Sequence, residues 1–165
     1  VLTLSSFSKT LAPGYRVGWI APGRHRDQVL AAQMMCSFAC GTTPQLAIAE
    51  FLEEGGYDHH LRGLRRELQE RRHRLIDAAA RHFPEGTTLT NPPGGFILWA
   101  QFPAAMEAME LHRQALKAGL SIAPGPLFTP GGNYRTCARL SAAFMRPGTE
   151  AHVAKLGELA GRLAG

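Results

Sequence analysis

The chain is poor in the features that mark several large classes of protein. Its three cysteines, Cys36, Cys40 and Cys137, are odd in number and form no Cys-x-x-Cys pair, which excludes a disulfide framework and a ribbon-type zinc site. This usage fits a reducing compartment, the cytoplasm. Cys36 and Cys40 lie four apart on an expected helix and read as small core residues, and so do Met34 and Met35. No apolar run is long enough to cross a bilayer, so no membrane partner is expected. Val1-Leu2-Thr3-Leu4 lacks the basic flank of a secretory leader, and no initiating Met is present. The opening reads as a buried strand entered midway, so the chain is expected to be part of a longer protein. Seven histidines are present, but no carboxylate–His spacing recurs, so no metal is expected. The adjacent His59 and His60 are expected at the surface.

What is present describes a folded α/β chain. Hydrophobic residues make up 45% and charged residues 19%, the balance of a globular protein. The net charge of +5 is concentrated between Arg62 and Arg81, where seven arginines face Glu67, Glu70 and Asp77. No aromatic residue interleaves with these arginines, as single-stranded nucleic acid would require. Leu61, Leu64, Leu68, Leu75, Ala79 and Phe83 instead form an apolar stripe at helical spacing. Glu67 with Arg71 and Arg66 with Glu70 are placed for i,i+4 pairing. The arginines therefore read as the solvated face of a long amphipathic helix over about 57–82.

Along the chain, strands are expected at 1–4 and 15–21, the second with Val17, Trp19 and Ala21 on one side. The polar loop 5–14 closes on Pro13-Gly14. A helix with Asp27 near its start runs to about residue 38. Thr43 then reads as an N-cap with Pro44 at the first helical position. After the long helix, strands are expected at 87–90, 96–102, 120–123 and 137–142. Helices are expected over about 105–118 and 147–163. The division is residues 1–56, then an α+β part over 57–165.

One lysine stands out by its neighbours. Lys9 lies in the polar loop after the first strand, with Ser6 and Ser8 before it and Arg16 beyond the Pro-Gly turn. Hydroxyls and a guanidinium fork are the donors that a phosphate monoester dianion needs. A lysine in the same cradle can form an imine with an aldehyde carried on that phosphate compound. The set suits pyridoxal 5'-phosphate.

The run Ser6-Phe7-Ser8-Lys9-Thr10-Leu11-Ala12-Pro13-Gly14-Tyr15-Arg16-Val17-Gly18-Trp19 resembles the cofactor-lysine motif of fold-type I, class I/II aminotransferases. The nearest likeness is to 2-aminoadipate-type transaminases and to the aminotransferase-like domain of MocR-type GntR regulators. Thr43-Pro44-Gln45-Leu46-Ala47 and Glu50 to Leu61 resemble the family's helix pair. Pro93-Gly94-Gly95-Phe96-Ile97-Leu98-Trp99 resembles its substrate-side strand, and Arg135 to Ser141 the strand whose arginine binds the substrate α-carboxylate. The Ala123-Pro124-Gly125-Pro126-Leu127-Phe128 stretch resembles a segment that the family places near the substrate entrance.

The resemblance implies the C-terminal part of a pyridoxal-phosphate-dependent transferase fold. Residues 1–56 would end the large cofactor-binding domain and its sheet, and 57–165 would form the small domain. Lys9 would be the Schiff-base lysine, with Ser6, Ser8 and Arg16 on the phosphate. Arg139, or failing it Arg135, would hold the carboxylate of an amino acid or 2-oxo acid, with Gly95 beside the substrate. A homodimer is implied. The family's aspartate, asparagine and tyrosine around the cofactor ring are not among these residues, so the chain alone is expected to be inactive. Two functions stay open, a metabolic transaminase or the effector domain of a regulator that would meet DNA through a separate N-terminal domain.

Overall fold

A computed structural model describes all 165 residues. The chain divides into two compact units, Val1–Leu64 and Arg65–Gly165, and α-helices and β-strands occur in both.

In the first unit, β1 (Thr3–Ser6) pairs antiparallel with β2 (Gly18–Ala21), Thr3 opposite Ala21 and Ser6 opposite Gly18. The helices α1 (Arg26–Cys36) and α2 (Thr42–Glu53) follow. The helix α2 begins one residue before the expected Thr43 cap, at Thr42, with Gly41 as the cap. Pro44 is tolerated there because the first-turn N–H groups have no helical partner. Asp27 lies in the first turn of α1, where a carboxylate suits the positive end of the helix dipole.

The first unit corrects several burial expectations. Every residue of β1 and β2 is exposed, so the first strand is not a buried one. Met34 and Met35 are 65% and 88% exposed, and Cys36 and Cys40 are exposed too. Ile48 is the one buried residue of this unit. The physical reason is that a two-stranded ribbon with two helices supplies too few layers to enclose both of its apolar faces.

The second unit has a core of its own. Helix α3 (Gly56–His82) begins in the first unit and continues into it. The strands β3 (Thr88–Leu89), β4 (Ile97–Gln101), β5 (Ala123–Pro124) and β6 (Cys137–Ser141) form an antiparallel sheet of order β3-β4-β6-β5. Strand β5 is shorter than expected, since residues 120–122 lie outside it and it covers only Ala123 and Pro124. Period-two alternation sorts the sheet faces. Leu98 and Ala100 on β4 pair with Leu140 and Ala138 on β6, and all four are buried. Helices α4 (Ala108–Lys117) and α5 (Glu150–Ala164), together with Leu75 and Ala78 of α3, complete this core. On α4 the buried residues Ala108, Leu111 and Ala115 recur at helical spacing. Gly157 of α5 lies against the end of α3, where a Cβ would come 2.1 Å from the His82 carbonyl oxygen. Only glycine allows that approach.

The basic helix departs from a wholly solvated face at one position. Arg72 is 5% exposed, the one buried charged residue of the chain. It stands four residues after Leu68 and three before Leu75, in the gap of the apolar stripe. Arg71 and Glu67 do pair as the spacing predicts. No helix of the chain is long and apolar enough to cross a membrane.

Candidate active site

The first unit gathers Ser6, Ser8, Lys9 and Arg16 into one loop structure. Residues 7–11 fold into a tight turn in which the Leu11 and Thr10 N–H groups donate to the Phe7 carbonyl at 2.8 and 3.3 Å. Phe7 N–H donates to the Val17 carbonyl at 3.0 Å, which continues the β1–β2 ladder and draws residue 16 back beside residue 8. Ser6 Oγ accepts from the Ser8 N–H at 3.1 Å and donates to the Val17 carbonyl at 3.3 Å. Arg16 Nη1 donates to Ser8 Oγ at 3.2 Å. Lys9 sits on this turn, exposed.

The backbone is specialised here. Arg16 adopts a left-handed conformation, φ 53 and ψ 35, which a side chain other than glycine rarely takes. Such strain persists where surrounding structure fixes it, and it concentrates at functional sites. Gly18 allows the two strands to approach, because a Cβ there would lie 2.8 Å from the Ser5 carbonyl oxygen. Pro13 and Gly14 shape the short 3-10 turn Pro13–Tyr15 that leads into Arg16.

These donors fit a phosphate monoester. Two hydroxyls and a guanidinium converge on one turn, and the guanidinium has N–H groups beyond the one given to Ser8. Thr10 Oγ1, next to Lys9, is buried without a hydrogen-bond partner. A phosphate-bearing aldehyde would find charge-assisted donors and an amine in one place.

The second unit carries Gly95 and Arg139. Arg139 projects from β6 on the face opposite the core, across from Trp99 on β4 and Ala123 on β5. Its Cζ lies 5.1 Å from the centre of the Phe128 ring. Trp99 meets Phe128 and Tyr134 edge-on, at 5.6 and 5.5 Å between ring centres. An arginine stacked on an aromatic face keeps its N–H edge available for a planar anion. Arg135, the fallback, is committed to an ion pair with Glu107 at 2.8 Å. Gly95 takes a positive φ of 78°, and its carbonyl accepts from Nη1 of Arg72 at 3.1 Å.

Three features escape a reading of the sequence. Arg72 belongs by pattern to the solvated face of its helix, yet it reaches the Gly95 carbonyl. The aromatic surround of Arg139 comes from three separated segments and leaves no local pattern. His60, expected at the surface, is half-buried, and its Nε2 lies 2.8 Å from the Thr10 carbonyl oxygen. Its spacing of three from Tyr57, on one helical face, is a signal that the sequence does carry.

The chain belongs to the aminotransferase class I and II family, whose model matches residues 1–155. It is 39% identical over 144 residues to the uncharacterized HTH-type transcriptional regulator YdcR of Escherichia coli (strain K12), a match covering 87% of this chain and 31% of that protein. It is 32% identical over 167 residues to the 2-aminoadipate transaminase of Thermus thermophilus, covering 99% of this chain and 42% of that protein. Among solved structures, LysN, the α-aminoadipate aminotransferase of Thermus thermophilus complexed with N-(5'-phosphopyridoxyl)-L-leucine, superposes with a TM-score of 0.85. That match has 28% identity and covers 99% of this chain and 41% of LysN. The chain thus spans between about a third and two fifths of the length of these relatives.

Proposed function

We propose that the chain forms the C-terminal part of a pyridoxal-phosphate-dependent aminotransferase that moves an amino group from an α-amino acid to a 2-oxo acid. The carrying observation is the convergence of Ser6, Ser8 and Arg16 on the turn that bears Lys9. In this reading residues 1–56 end the cofactor-binding domain and 57–165 form the small domain. The protein works as a homodimer in the cytoplasm.

Ser8 would donate its hydroxyl to the phosphate and Arg16 would add a charged fork, while Ser6 would join them by turning its hydroxyl proton from the Val17 carbonyl to the phosphate. Lys9 would hold the cofactor through its Nζ amine, the group able to condense with the aldehyde with loss of water. When bound, pyridoxal phosphate supplies an electron sink that makes the substrate α-hydrogen acidic. The Lys9 amine, when not joined to the cofactor, would take that proton as general base and hold it at Nζ. Arg139 pairs with the α-carboxylate through its N–H edge while Phe128 fixes the guanidinium plane. That pairing would hold the α-carbon of the substrate in one orientation. Gly95, two residues ahead of β4, would lie beside the substrate. The chain spans about two fifths of LysN, so residues 1–165 alone are expected not to turn over.

The test is borohydride reduction of the pyridoxal-phosphate-loaded full-length protein, followed by peptide mapping. The adduct should fall on Lys9 and be absent from Lys9→Ala. An adduct on another lysine would refute the assignment.

A second reading is favoured by the 39% identity to an HTH-type regulator, against 32% to the transaminase. There the same site senses pyridoxal phosphate or an amine, and DNA binds through a separate N-terminal domain. Amino-group transfer assayed beside operator-DNA binding on the full-length protein separates the two.

A further inference from the structure

We infer that His60 is a positioning residue for Lys9, acting through a hydrogen bond to the backbone of the lysine's own turn. The inference rests on the proposed role of Lys9.

A carbonyl oxygen can only accept, so the 2.8 Å contact between His60 and Thr10 requires the proton on Nε2. The imidazole therefore donates to the peptide group one residue after Lys9. Its ring is held in turn by Phe51, edge-on at 6.2 Å between centres. One helical turn earlier, Tyr57 packs its ring on Phe7 at 6.2 Å and 74°. Phe7 begins the turn and Thr10 closes it, with Lys9 between them. The first two turns of α3 thus grip the Lys9 turn at both ends, Tyr57 by packing and His60 by a directed bond.

After Lys9 the turn is closed by the Leu11 N–H bond to the Phe7 carbonyl at 2.8 Å, and the Thr10 side chain adds nothing to it. Thr10 Oγ1 is buried without a partner, so no hydroxyl bond fixes this residue. The Thr10 N–H bond to Phe7 is long, at 3.3 Å. The Thr10–Leu11 peptide is thus held from both sides, its N–H on the Phe7 carbonyl and its carbonyl on His60, each at 2.8 Å. The His60 bond thereby holds the Thr10 torsions, and through them the direction in which the Lys9 side chain leaves the backbone. Losing it leaves Ser6, Ser8 and Arg16 in place but lets the amine wander from the aldehyde they would hold, a loss of orientation rather than of binding.

His60→Phe keeps an aromatic ring against Phe51 and removes the donor. His60→Gln returns a donor at nearly the same reach. Two quantities are read on the full-length protein. One is amide hydrogen exchange at Lys9–Leu11 without cofactor. The other is the rate of borohydride-trapped adduct formation at Lys9 with pyridoxal phosphate as the probe. In His60→Phe, exchange at these amides should rise and trapping should slow about five- to tenfold, the effect of one ordinary hydrogen bond. His60→Gln should recover most of both.

Unchanged exchange and trapping in His60→Phe, with only a lower melting temperature, would overturn the inference. Equal impairment in both variants would also overturn it, because the donor would then not be the cause. An adduct persisting in Lys9→Ala instead sinks the reading of Lys9, an outcome separate from the behaviour of His60.

Discussion

Replacing Arg72 with methionine tests whether a buried cation serves stability or placement. Arg72 is 5% exposed; its Nη1 donates to the Gly95 carbonyl and its Nε is buried without a partner. No ion pair involving it is found. A hydrogen bond from a charged donor contributes about 1.5–3 kcal/mol. Against this stands the desolvation of an unpaired charge, several kcal/mol after relaxation. Methionine fills similar length without either term, and the exposed Gly95 carbonyl can turn to water. Arg72→Met should therefore leave stability unchanged or raise it by roughly 1–2 kcal/mol. In a unit of this size that is a melting shift of about 4–8 °C per kcal/mol. On the proposed function, the same variant of the full-length protein should raise the KM for an amino acid, since the Gly94-Gly95 segment loses its anchor. Urea unfolding of both proteins, followed by steady-state kinetics, measures the two effects. A loss above about 2 kcal/mol would refute the reasoning, because it would mean the charge is compensated.

Further outcomes follow from the same geometry. Gly157→Ala places a methyl group 2.1 Å from the His82 carbonyl oxygen and should cost about 1–3 kcal/mol as helices α3 and α5 are forced apart; a neutral result in urea unfolding would contradict the packing. Phe128→Leu removes the ring beneath Arg139, a contact worth about 0.5–1 kcal/mol at exposed sites. It should raise KM for amino acids several-fold with kcat little altered, whereas Arg139→Lys should cost more because the fork is lost. The hydrogen bond and charge of Lys155, with Arg162 adding to them, hold the Glu158 carboxyl below its ordinary range. A lowered folded-state value means that this stabilisation is present at neutral pH and lost as pH falls through the folded-state value. Melting temperatures of wild type and Glu158→Gln should thus converge in acid, and a gap that widens on acidification would reverse the sign.

The sequence by itself determined the elements and the local site. The stripe from Leu61 to Ala79 sets α3 to within a residue of its expected span, because helical periodicity over many residues leaves one solution. Ser6, Ser8, Lys9 and Arg16 are legible as a group because a Pro-Gly turn and two short strands are local devices that bring near residues together. What only the tertiary structure decided is where solvent ends. Met34, Met35 and the first strand look like core by composition but are exposed, since burial needs a covering layer that local pattern does not report. Arg72 and His60 look like surface by type but are drawn inward, because a polar side chain follows the acceptor that the fold presents to it. The surround of Arg139 depends on strand register and on Phe128 and Tyr134 returning to one face of the sheet. Such long-range pairing is set by packing free energy, which no window of sequence contains.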